Sequence, residues 1–272
     1  MVHRPLGNHH LRPDTLLVTS DATKQSVPVA EVTGAEHELN GSDRSLTDLV
    51  KGARHVLFDF DGPICRLFAG RPAPVIAREQ VDWLDAQGLG EALTPAERTD
   101  DDPHSALRSL GLQRPDSDLV FEMEKRLTEQ ELKAVRSAWP TEHADPLIRT
   151  WSAVGARLAI TTNNSPEAAR RYIEGRGLAP CFEPHIYGRT RDLRLLKPDP
   201  YCLNLALRAM GAAPATALMI GDAPTDLLAA RAAGVPFLGY ARNERKATPL
   251  REAGARHVVS SLEPLLAILR SP

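Results

Sequence analysis

The sequence has little of what marks secreted, zinc-binding or membrane-spanning proteins. Its three cysteines, Cys65, Cys181 and Cys202, are far apart, and no two of them have the C-x-x-C spacing. A disulfide framework and a cysteine-based zinc site are therefore disfavoured, and we expect reduced thiols in a cytoplasmic protein. No apolar run approaches the roughly 18 residues that a membrane helix needs. The apolar run at residues 16–18 is also too short for the core of a signal peptide.

An excess of one charge is also missing. The chain has 33 basic and 35 acidic side chains, which gives a net charge of −2. This balance argues against binding to nucleic acid or to an anionic membrane, so a small molecule is the expected partner. The sequence leaves the oligomeric state open. A length of 272 residues with 42% hydrophobic content is enough for one sizeable core and a smaller accessory unit.

The chain divides by composition into an extension, a core and an insertion. Residues 1–45 are polar and lack a hydrophobic period, which predicts a poorly ordered N-terminal extension. Residues 46–65 and 141–272 are predicted to form an α/β core. Residues 66–140 are predicted to form a helical cap that interrupts this core.

Short apolar runs alternate with helical patterns in the predicted core. Strands are predicted at residues 55–61, 157–162, 185–187, 217–222, 235–240 and 256–259. Ser165 and Asp199, each followed by proline, predict helix starts, and Asp226 is predicted to open the helix that follows the fourth strand. This alternation predicts an α/β fold with a doubly wound, mainly parallel sheet.

The predicted cap has its clearest helical pattern over residues 117–138. Thr128 and Glu131 have the spacing of a capping box, with Leu127 and Leu132 beside them. This pattern predicts two helices with a break near Leu127.

Polar side chains lie at the ends of three predicted strands and in one loop. They are Asp59, Asp61, Thr162, Asn163, Lys197, Asp222 and Asp226. Ligands of open parallel sheets bind outside the carboxyl ends of the strands, so these groups are expected to share one crevice. Three or four carboxylates buried together need compensating charge. Oxygen ligands favour Mg²⁺ over zinc, and the lysine adds charge that suits phosphoryl transfer.

The order of these residues resembles the four motifs of the haloacid dehalogenase superfamily. The motifs are Asp59-Phe-Asp61-Gly62, Thr162-Asn163, Lys197 and Gly221-Asp222-x-x-x-Asp226, and the resemblance covers about residues 53–262. Each motif alone is weak, whereas four in order are specific. The resemblance implies a Rossmann-like core and a Mg²⁺-dependent phosphatase that acts on a small phosphorylated metabolite.

The resemblance also implies a role for each site residue. Asp59 would attack phosphorus and form an aspartyl-phosphate, and Asp61 would act as general acid and then as base. Thr162 and the backbone N–H groups from Asn163 onward would bind phosphoryl oxygens, and Lys197 would hold the nucleophile and the phosphate.

The implied Mg²⁺ ligands are Asp59, the backbone carbonyl of Asp61, and Asp222. Asp226 would orient Lys197 or a water on the metal. A plain helix cap is the alternative role for Asp226.

The spacing of the motifs resembles that of members with a helical (C1) cap. Asp59 and Thr162 are 103 residues apart, whereas Lys197 follows Thr162 by only 35. Phosphoglycolate-phosphatase-like and β-phosphoglucomutase-like enzymes have the nearest pattern. The sequence departs from it at Pro63 and at Ala223-Pro224, which leaves the substrate open.

Other functions within this superfamily remain to be weighed. Dehalogenases lack an acid at the position of Asp61, since a halide leaves without a proton, so Asp61 favours a phosphate substrate. A phosphonatase is disfavoured, because no lysine of the cap is placed to form a Schiff base. A phosphomutase uses the same pair of aspartates and stays an alternative, as does a non-catalytic relative that binds small molecules. Four basic side chains of the predicted cap could bind a second anionic group of the substrate. They are Arg66, Arg71, Arg78 and His104. Exposure of these side chains to solvent on the cap surface is the simpler interpretation.

Overall fold

The computed structural model describes residues 44–271 of the chain. The predicted N-terminal extension over residues 1–45 therefore lies outside the described part, except for Arg44 and Ser45. Across residues 44–271, none of the helices has both the length and the apolar character that crossing a membrane requires.

Six strands form one parallel sheet, and two short strands form a separate antiparallel ribbon. The strands are β1 (His55–Phe58), β2 (Cys65–Arg66), β3 (Trp139–Pro140), β4 (Arg157–Thr161), β5 (Ile186–Tyr187), β6 (Ala217–Gly221), β7 (Phe237–Tyr240) and β8 (Val258–Val259). Their order in the sheet is β5-β4-β1-β6-β7-β8, and all neighbouring pairs are parallel. The predicted α/β fold with a mainly parallel sheet is confirmed.

Twelve α-helices surround the strands in residues 44–271. They are α1 (Leu46–Gly52), α2 (Ala73–Ala86), α3 (Pro95–Arg98), α4 (Ser105–Gln113), α5 (Asp118–Val135), α6 (Ala144–Ala153), α7 (Pro166–Gly175), α8 (Ala179–Phe182), α9 (Tyr201–Met210), α10 (Pro224–Ala232), α11 (Glu244–Glu252) and α12 (Glu263–Arg270). Ser165 caps α7 as predicted, because its hydroxyl accepts a hydrogen bond from the Glu167 N–H. The predicted helix start at Asp226 is wrong. Helix α10 begins at Pro224, since proline fits the first helical turn.

The strands pack against helices on both faces of the sheet. Val56 and Phe58 of β1 belong to a hydrophobic cluster that includes side chains of α1, α6 and α12. Leu57, between them, belongs to a second cluster with α9, α10 and α11. Successive side chains of a strand point to opposite faces, so a continuous apolar strand requires helices on both sides. This packing explains why the sheet is doubly wound.

The residues between β2 and β3 form a helical insertion with its own hydrophobic cluster. Ile76, Leu110 and Met123 are buried in this cluster, together with Leu193 from the segment after β5. Strands β2 and β3 pair at the two ends of the insertion, where the chain leaves and rejoins the sheet. We therefore propose that the cap comprises residues 66–140, and that residues 46–65 and 141–272 form the core.

The predicted break in the long cap helix is wrong. Helix α5 runs without interruption from Asp118 to Val135. Thr128 does not cap a new helix, because its hydroxyl donates to the Glu124 carboxylate one turn earlier (2.9 Å). Glu131 is fully buried and bonds to residues of the core. Its tertiary contacts take the place of the predicted capping box.

The aromatic side chains beneath β1 generate a prediction for stability. Trp151 is fully buried and meets Phe58 edge to face, with 5.8 Å between the ring centroids. We expect Trp151→Ala to lower the free energy of unfolding by about 3–5 kcal/mol, because it leaves a large cavity. Urea denaturation followed by circular dichroism would measure the change.

A second tryptophan serves as the control for this substitution. Trp139 is 58% exposed and contacts the Arg66 guanidinium, so Trp139→Ala should cost less than about 1 kcal/mol. Equal losses in the two variants would contradict the packing described for the sheet.

Candidate active site

The carboxyl ends of three adjacent strands open into one cavity of about 590 Å³. Strand β1 lies between β4 and β6, so the residues that follow these strands are neighbours. The cavity is lined by all seven predicted site residues: Asp59, Asp61, Thr162, Asn163, Lys197, Asp222 and Asp226. The structure therefore brings together groups that are up to 167 residues apart in the chain.

Lys197 lies at the centre of this group and is almost fully buried. Its ammonium nitrogen is 2.9 Å from Oδ1 of Asp59 and 2.5 Å from Oδ1 of Asp226. It also donates to the Thr161 carbonyl at 3.0 Å. The two carboxylates raise the pKa of Lys197 although burial opposes its charge. The lysine is therefore a permanent cation between the nucleophile candidate and a second aspartate.

Asn163 positions the backbone that carries this lysine. Its side-chain oxygen accepts from the Lys197 N–H (2.8 Å), and its side-chain nitrogen donates to the Lys197 carbonyl (3.1 Å). The side chain is thus occupied by Lys197. The N–H of Asn163 has no hydrogen-bond partner among residues 44–271.

Asp226 acts both on its helix and on Lys197. Its Oδ2 accepts hydrogen bonds from the backbone N–H groups of Asp222 (3.1 Å) and Ala223 (3.0 Å), which precede α10. Its Oδ1 receives Lys197. Asp226 is therefore not the first cap of α10, but its carboxylate holds the backbone at the start of this helix and contacts Lys197 as well.

Asp59 pairs with the lysine, whereas Asp61 bonds to a backbone N–H. Burial raises the pKa of Asp59, and the neighbouring carboxylates of Asp226 and Asp222 add to the rise, whereas Lys197 counteracts it. Asp61 accepts a hydrogen bond from the Leu67 N–H at 2.8 Å, and burial raises its pKa to about 6. A carboxyl with this pKa can both donate and accept a proton near neutral pH.

Asp222 has a basic partner that the sequence analysis missed. Lys246, from α11, places its ammonium 3.0 Å from Oδ2 of Asp222. Burial still raises the pKa of Asp222 to about 6. Lys246 has no local sequence signal, because it lies in an exposed polar helix, and only the return of the chain after β7 brings it to the site.

Two glycines allow the acidic side chains to approach the backbone closely. Gly62 has a φ of +121°, and a Cβ there would lie 2.5 Å from Cγ of Asp222. A Cβ at Gly221 would lie 2.4 Å from Oδ2 of Asp226. Any side chain at these positions would displace a carboxylate, so both glycines are required for this packing.

The donor atoms fit a hard divalent cation. One oxygen each of Asp59, Asp222 and Asp226 lie within 4.8 Å of one another. Both oxygens of Asp226 already have partners, whereas Oδ2 of Asp59 has no hydrogen bond within residues 44–271. Asp59 and Asp222 are therefore the better ligands. Carboxylate oxygens are the ligands that a hard cation such as Mg²⁺ prefers.

Thr162 lies at the start of the loop that precedes α7. Its hydroxyl donates to the side-chain oxygen of Asn164 and accepts from the Asn164 N–H, both at 3.1 Å. The side chain is nearly buried, so its orientation is set by Asn164.

The cap contributes two of its four predicted basic residues to the cavity. Arg66 and His104 line the cavity, whereas Arg71 pairs with Glu79 outside it and Arg78 is exposed. Both ring nitrogens of His104 face carboxylates, those of Asp102 and Glu131, and this raises its pKa to about 9 although burial opposes the charge. His104 is therefore a charged residue of the cavity wall.

Known proteins resemble this chain in sequence and in fold. Phosphoglycolate phosphatase from Rhodospirillum rubrum is 37% identical over 123 residues, which are 44% of this chain and 48% of that protein. Phosphoserine phosphatase from Thermus thermophilus is 38% identical over 96 residues, which are 35% of this chain and 38% of that protein. The chain thus spans about half or less of the length of these relatives.

A solved structure and a family model extend the resemblance. The crystal structure of a predicted phosphatase from Clostridium acetobutylicum has the same fold, with a TM-score of 0.57 and 18% identity, over 78% of this chain and 96% of that one. The family model of haloacid dehalogenase-like hydrolases matches residues 53–234, which hold all seven predicted site residues. This chain therefore belongs to the haloacid dehalogenase-like hydrolases.

Proposed function

We propose that this protein is a Mg²⁺-dependent phosphatase that hydrolyses a small phosphorylated metabolite through an aspartyl-phosphate. The observation that carries the proposal is the buried Lys197 between Asp59 and Asp226. Asp61 and Asp222 line the same cavity, at the ends of the neighbouring strands β1 and β6. The two relatives described above are named phosphatases of phosphoglycolate and phosphoserine, which supports a small phosphate monoester as substrate. The cavity volume of about 590 Å³ suits such a molecule.

In the first step, a carboxylate oxygen of Asp59 attacks phosphorus and the bond from phosphorus to the leaving alcohol oxygen breaks. Oδ1 of Asp59 is held by Lys197, so its orientation is set while Oδ2 remains available. Thr162 and Asn163 line the same cavity. The Asn163 N–H would donate to a phosphoryl oxygen, and the Thr162 hydroxyl would do so by turning its proton from Asn164 to the substrate. Lys197 adds positive charge where negative charge builds up.

Asp61 supplies and removes the protons of the reaction. Protonated Asp61 gives its proton to the leaving alcohol and becomes a carboxylate. It then takes a proton from the water that attacks the aspartyl-phosphate, which releases inorganic phosphate and restores Asp59. A pKa of about 6 places Asp61 in the range where both transfers are feasible.

Asp59, Asp222 and the backbone carbonyl of Asp61 would hold Mg²⁺. When bound, the ion would neutralise the carboxylates and draw negative charge from the phosphoryl group. Asp226 would act through Lys197 and through the two N–H groups that position Asp222.

The first prediction concerns the nucleophile. Asp59→Asn should lower the kcat for p-nitrophenyl phosphate by more than about a thousandfold, because an amide oxygen is a poor nucleophile. Release of p-nitrophenol, followed by absorbance, would measure it. Asp82→Asn, which makes the same change at an exposed aspartate of α2, should keep wild-type activity. Turnover by the Asp59 variant near the wild-type rate would reject the mechanism.

The second prediction separates the acid from the nucleophile. Asp61→Asn should slow the hydrolysis of alkyl phosphates much more than that of p-nitrophenyl phosphate in the first turnover. An alkoxide needs a proton to leave, whereas nitrophenolate does not. Rapid-quench kinetics would compare the two substrates, and equal losses would exclude Asp61 as the general acid.

The third prediction links metal binding to pH. Burial raises the pKa of Asp61 and Asp222 from 3.8 to about 6, so the folded metal-free protein binds more protons than the unfolded chain between these values. The contribution of these two carboxyl groups to the free energy of unfolding is therefore highest below pH 4, and it falls as the pH rises to about 6. Mg²⁺ competes with these protons, so its stabilising effect should be larger at pH 8 than at pH 5.

Thermal unfolding of EDTA-treated protein with and without Mg²⁺ would test this dependence. The Asp222→Asn variant should show a much smaller response to Mg²⁺. A Mg²⁺ effect on Tm that is the same at both pH values would contradict the proposed metal ligands.

A further inference from the structure

A fully buried ion pair joins the cap to the core beside the site. Glu131, on α5 of the cap, and Arg189, which follows β5, both have side chains with 0% exposure. The guanidinium donates to both carboxylate oxygens at 2.9 Å, one nitrogen to each. Such a pair stabilises a fold only when its remaining hydrogen-bonding capacity is satisfied, because two charges leave water. The other contacts of Glu131 are therefore informative.

These other contacts lead to the loop that carries Thr162. Oε2 of Glu131 accepts from the Ser165 N–H at 2.9 Å, and Oε1 accepts from the side-chain nitrogen of Asn164 at 3.0 Å. The side-chain oxygen of Asn164 accepts a hydrogen bond from the Thr162 hydroxyl, and the Asn164 N–H donates to that hydroxyl. A cap carboxylate is thus connected to the proposed phosphate-binding hydroxyl through a single side chain.

Arg189 holds the same loop from the other side. Its guanidinium donates to the Asn163 carbonyl at 3.1 Å, and its backbone N–H donates to the Asn164 carbonyl at 2.9 Å. Residues 162–165 therefore lie between a core arginine and a cap glutamate that are paired with each other. The loop has this set of bonds only while the cap packs against the core as it does here.

The cavity wall is connected to the same carboxylate. Nε2 of His104, a cap residue that lines the cavity, is 3.3 Å from Oε1 of Glu131, and its Nδ1 is 2.9 Å from Asp102. A substrate enclosed by the cap would therefore lie against a residue that contacts Glu131. Enclosure of the substrate and the conformation of residues 162–165 then both depend on how the cap is placed against the core.

We infer that Glu131 is a positioning residue, supplied by the cap, that sets the phosphate-binding loop at residues 162–165 through Asn164 and Ser165. The inference rests on the proposed phosphatase reaction, since that reaction assigns phosphate binding to Thr162 and Asn163. It assigns to the cap a role in the chemistry of the core, in addition to covering the cavity. Without the carboxylate of Glu131, the Asn164 side chain and the Ser165 N–H would lose their acceptor, and residues 162–165 would no longer be held in one conformation.

The direct test is Glu131→Gln, which keeps the size of the side chain. We expect kcat for p-nitrophenyl phosphate to fall about hundredfold, as small misplacements of a binding group do. Binding of inorganic phosphate, measured by calorimetry with Mg²⁺ present, should weaken at least tenfold. Glu129→Gln, the same change at an exposed position of α5, should leave both values within twofold of wild type.

Glu124→Gln distinguishes loop positioning from support of Arg189. Glu124 pairs with Arg189 at 3.1 Å, and within residues 44–271 its side chain has no hydrogen bond or ion pair with residues 162–165. We expect it to change kcat by less than about threefold. If Glu124→Gln lowers kcat as strongly as Glu131→Gln does, the effect comes from Arg189 alone and the inference is wrong.

Asn164→Ala tests the connection and leaves the buried ion pair intact, which matters if Glu131→Gln does not fold. This variant should lose kcat and phosphate affinity with a smaller fall in Tm than Glu131→Gln causes. In its background, Glu131→Gln should have a much smaller further effect than in wild type, because neighbouring groups that act as a unit are not additive. Additive losses, or a lower Tm with unchanged kcat in both single variants, would show a merely structural role.

The two proposals fail in different ways. If wild-type protein releases no phosphate from any monoester but Glu131→Gln still weakens phosphate binding, the proposed reaction fails and the positioning role stands. If turnover depends on Asp59 and Glu131→Gln leaves kcat and phosphate affinity unchanged, the reaction stands and the positioning role is rejected.

Discussion

The contact on which the candidate site depends is the buried ammonium group of Lys197 between two aspartates. Its nitrogen donates to Asp59, to Asp226 and to the Thr161 carbonyl. Asp59 follows β1, Thr161 ends β4, and Asp226 lies in α10, the helix after β6. Removing one member of a buried ion pair costs about 3–5 kcal/mol, because the remaining charge is left without compensation. These contacts therefore favour one arrangement of the strand ends and of the loop that carries Lys197. The parallel sheet brings those strand ends together at one edge.

The same constraint acts at the boundary between the cap and the core. Glu131 and Arg189 exclude water from two opposite charges, and every oxygen of the carboxylate has at least one donor. An apolar contact would allow the cap helix to slide, whereas directed hydrogen bonds favour one position. The loop at residues 162–165 lies inside this network. The precision of the core site is thus tied to the packing of a segment that lies outside the core sheet.

Much of the site could be predicted because its residues lie directly after apolar strands. Asp59, Thr162 and Asp222 follow β1, β4 and β6, and the topology of a parallel sheet requires such positions to meet. Lys246 and Arg189 could not be predicted in the same way. Both lie in polar segments without a period, and their partners come from distant parts of the chain. Glu131 gave a misleading local signal, since its spacing from Thr128 fits a capping box.

By itself, the sequence determined the α/β class, the alternation of the six strands of the parallel sheet with helices, and the set of acids and the lysine that line one cavity. These follow from short-range patterns, because alternation of apolar residues and the residues at helix ends act within a few positions. Only the tertiary structure decided that Asp226 bonds both its own helix and Lys197, and that Lys246 pairs with Asp222. It also decided that a cap glutamate reaches the loop of Thr162. The contacts of Lys197, Lys246 and Glu131 join residues that are far apart in the chain, so a local sequence pattern does not encode them. Burial strengthens such contacts, because water does not screen the charges.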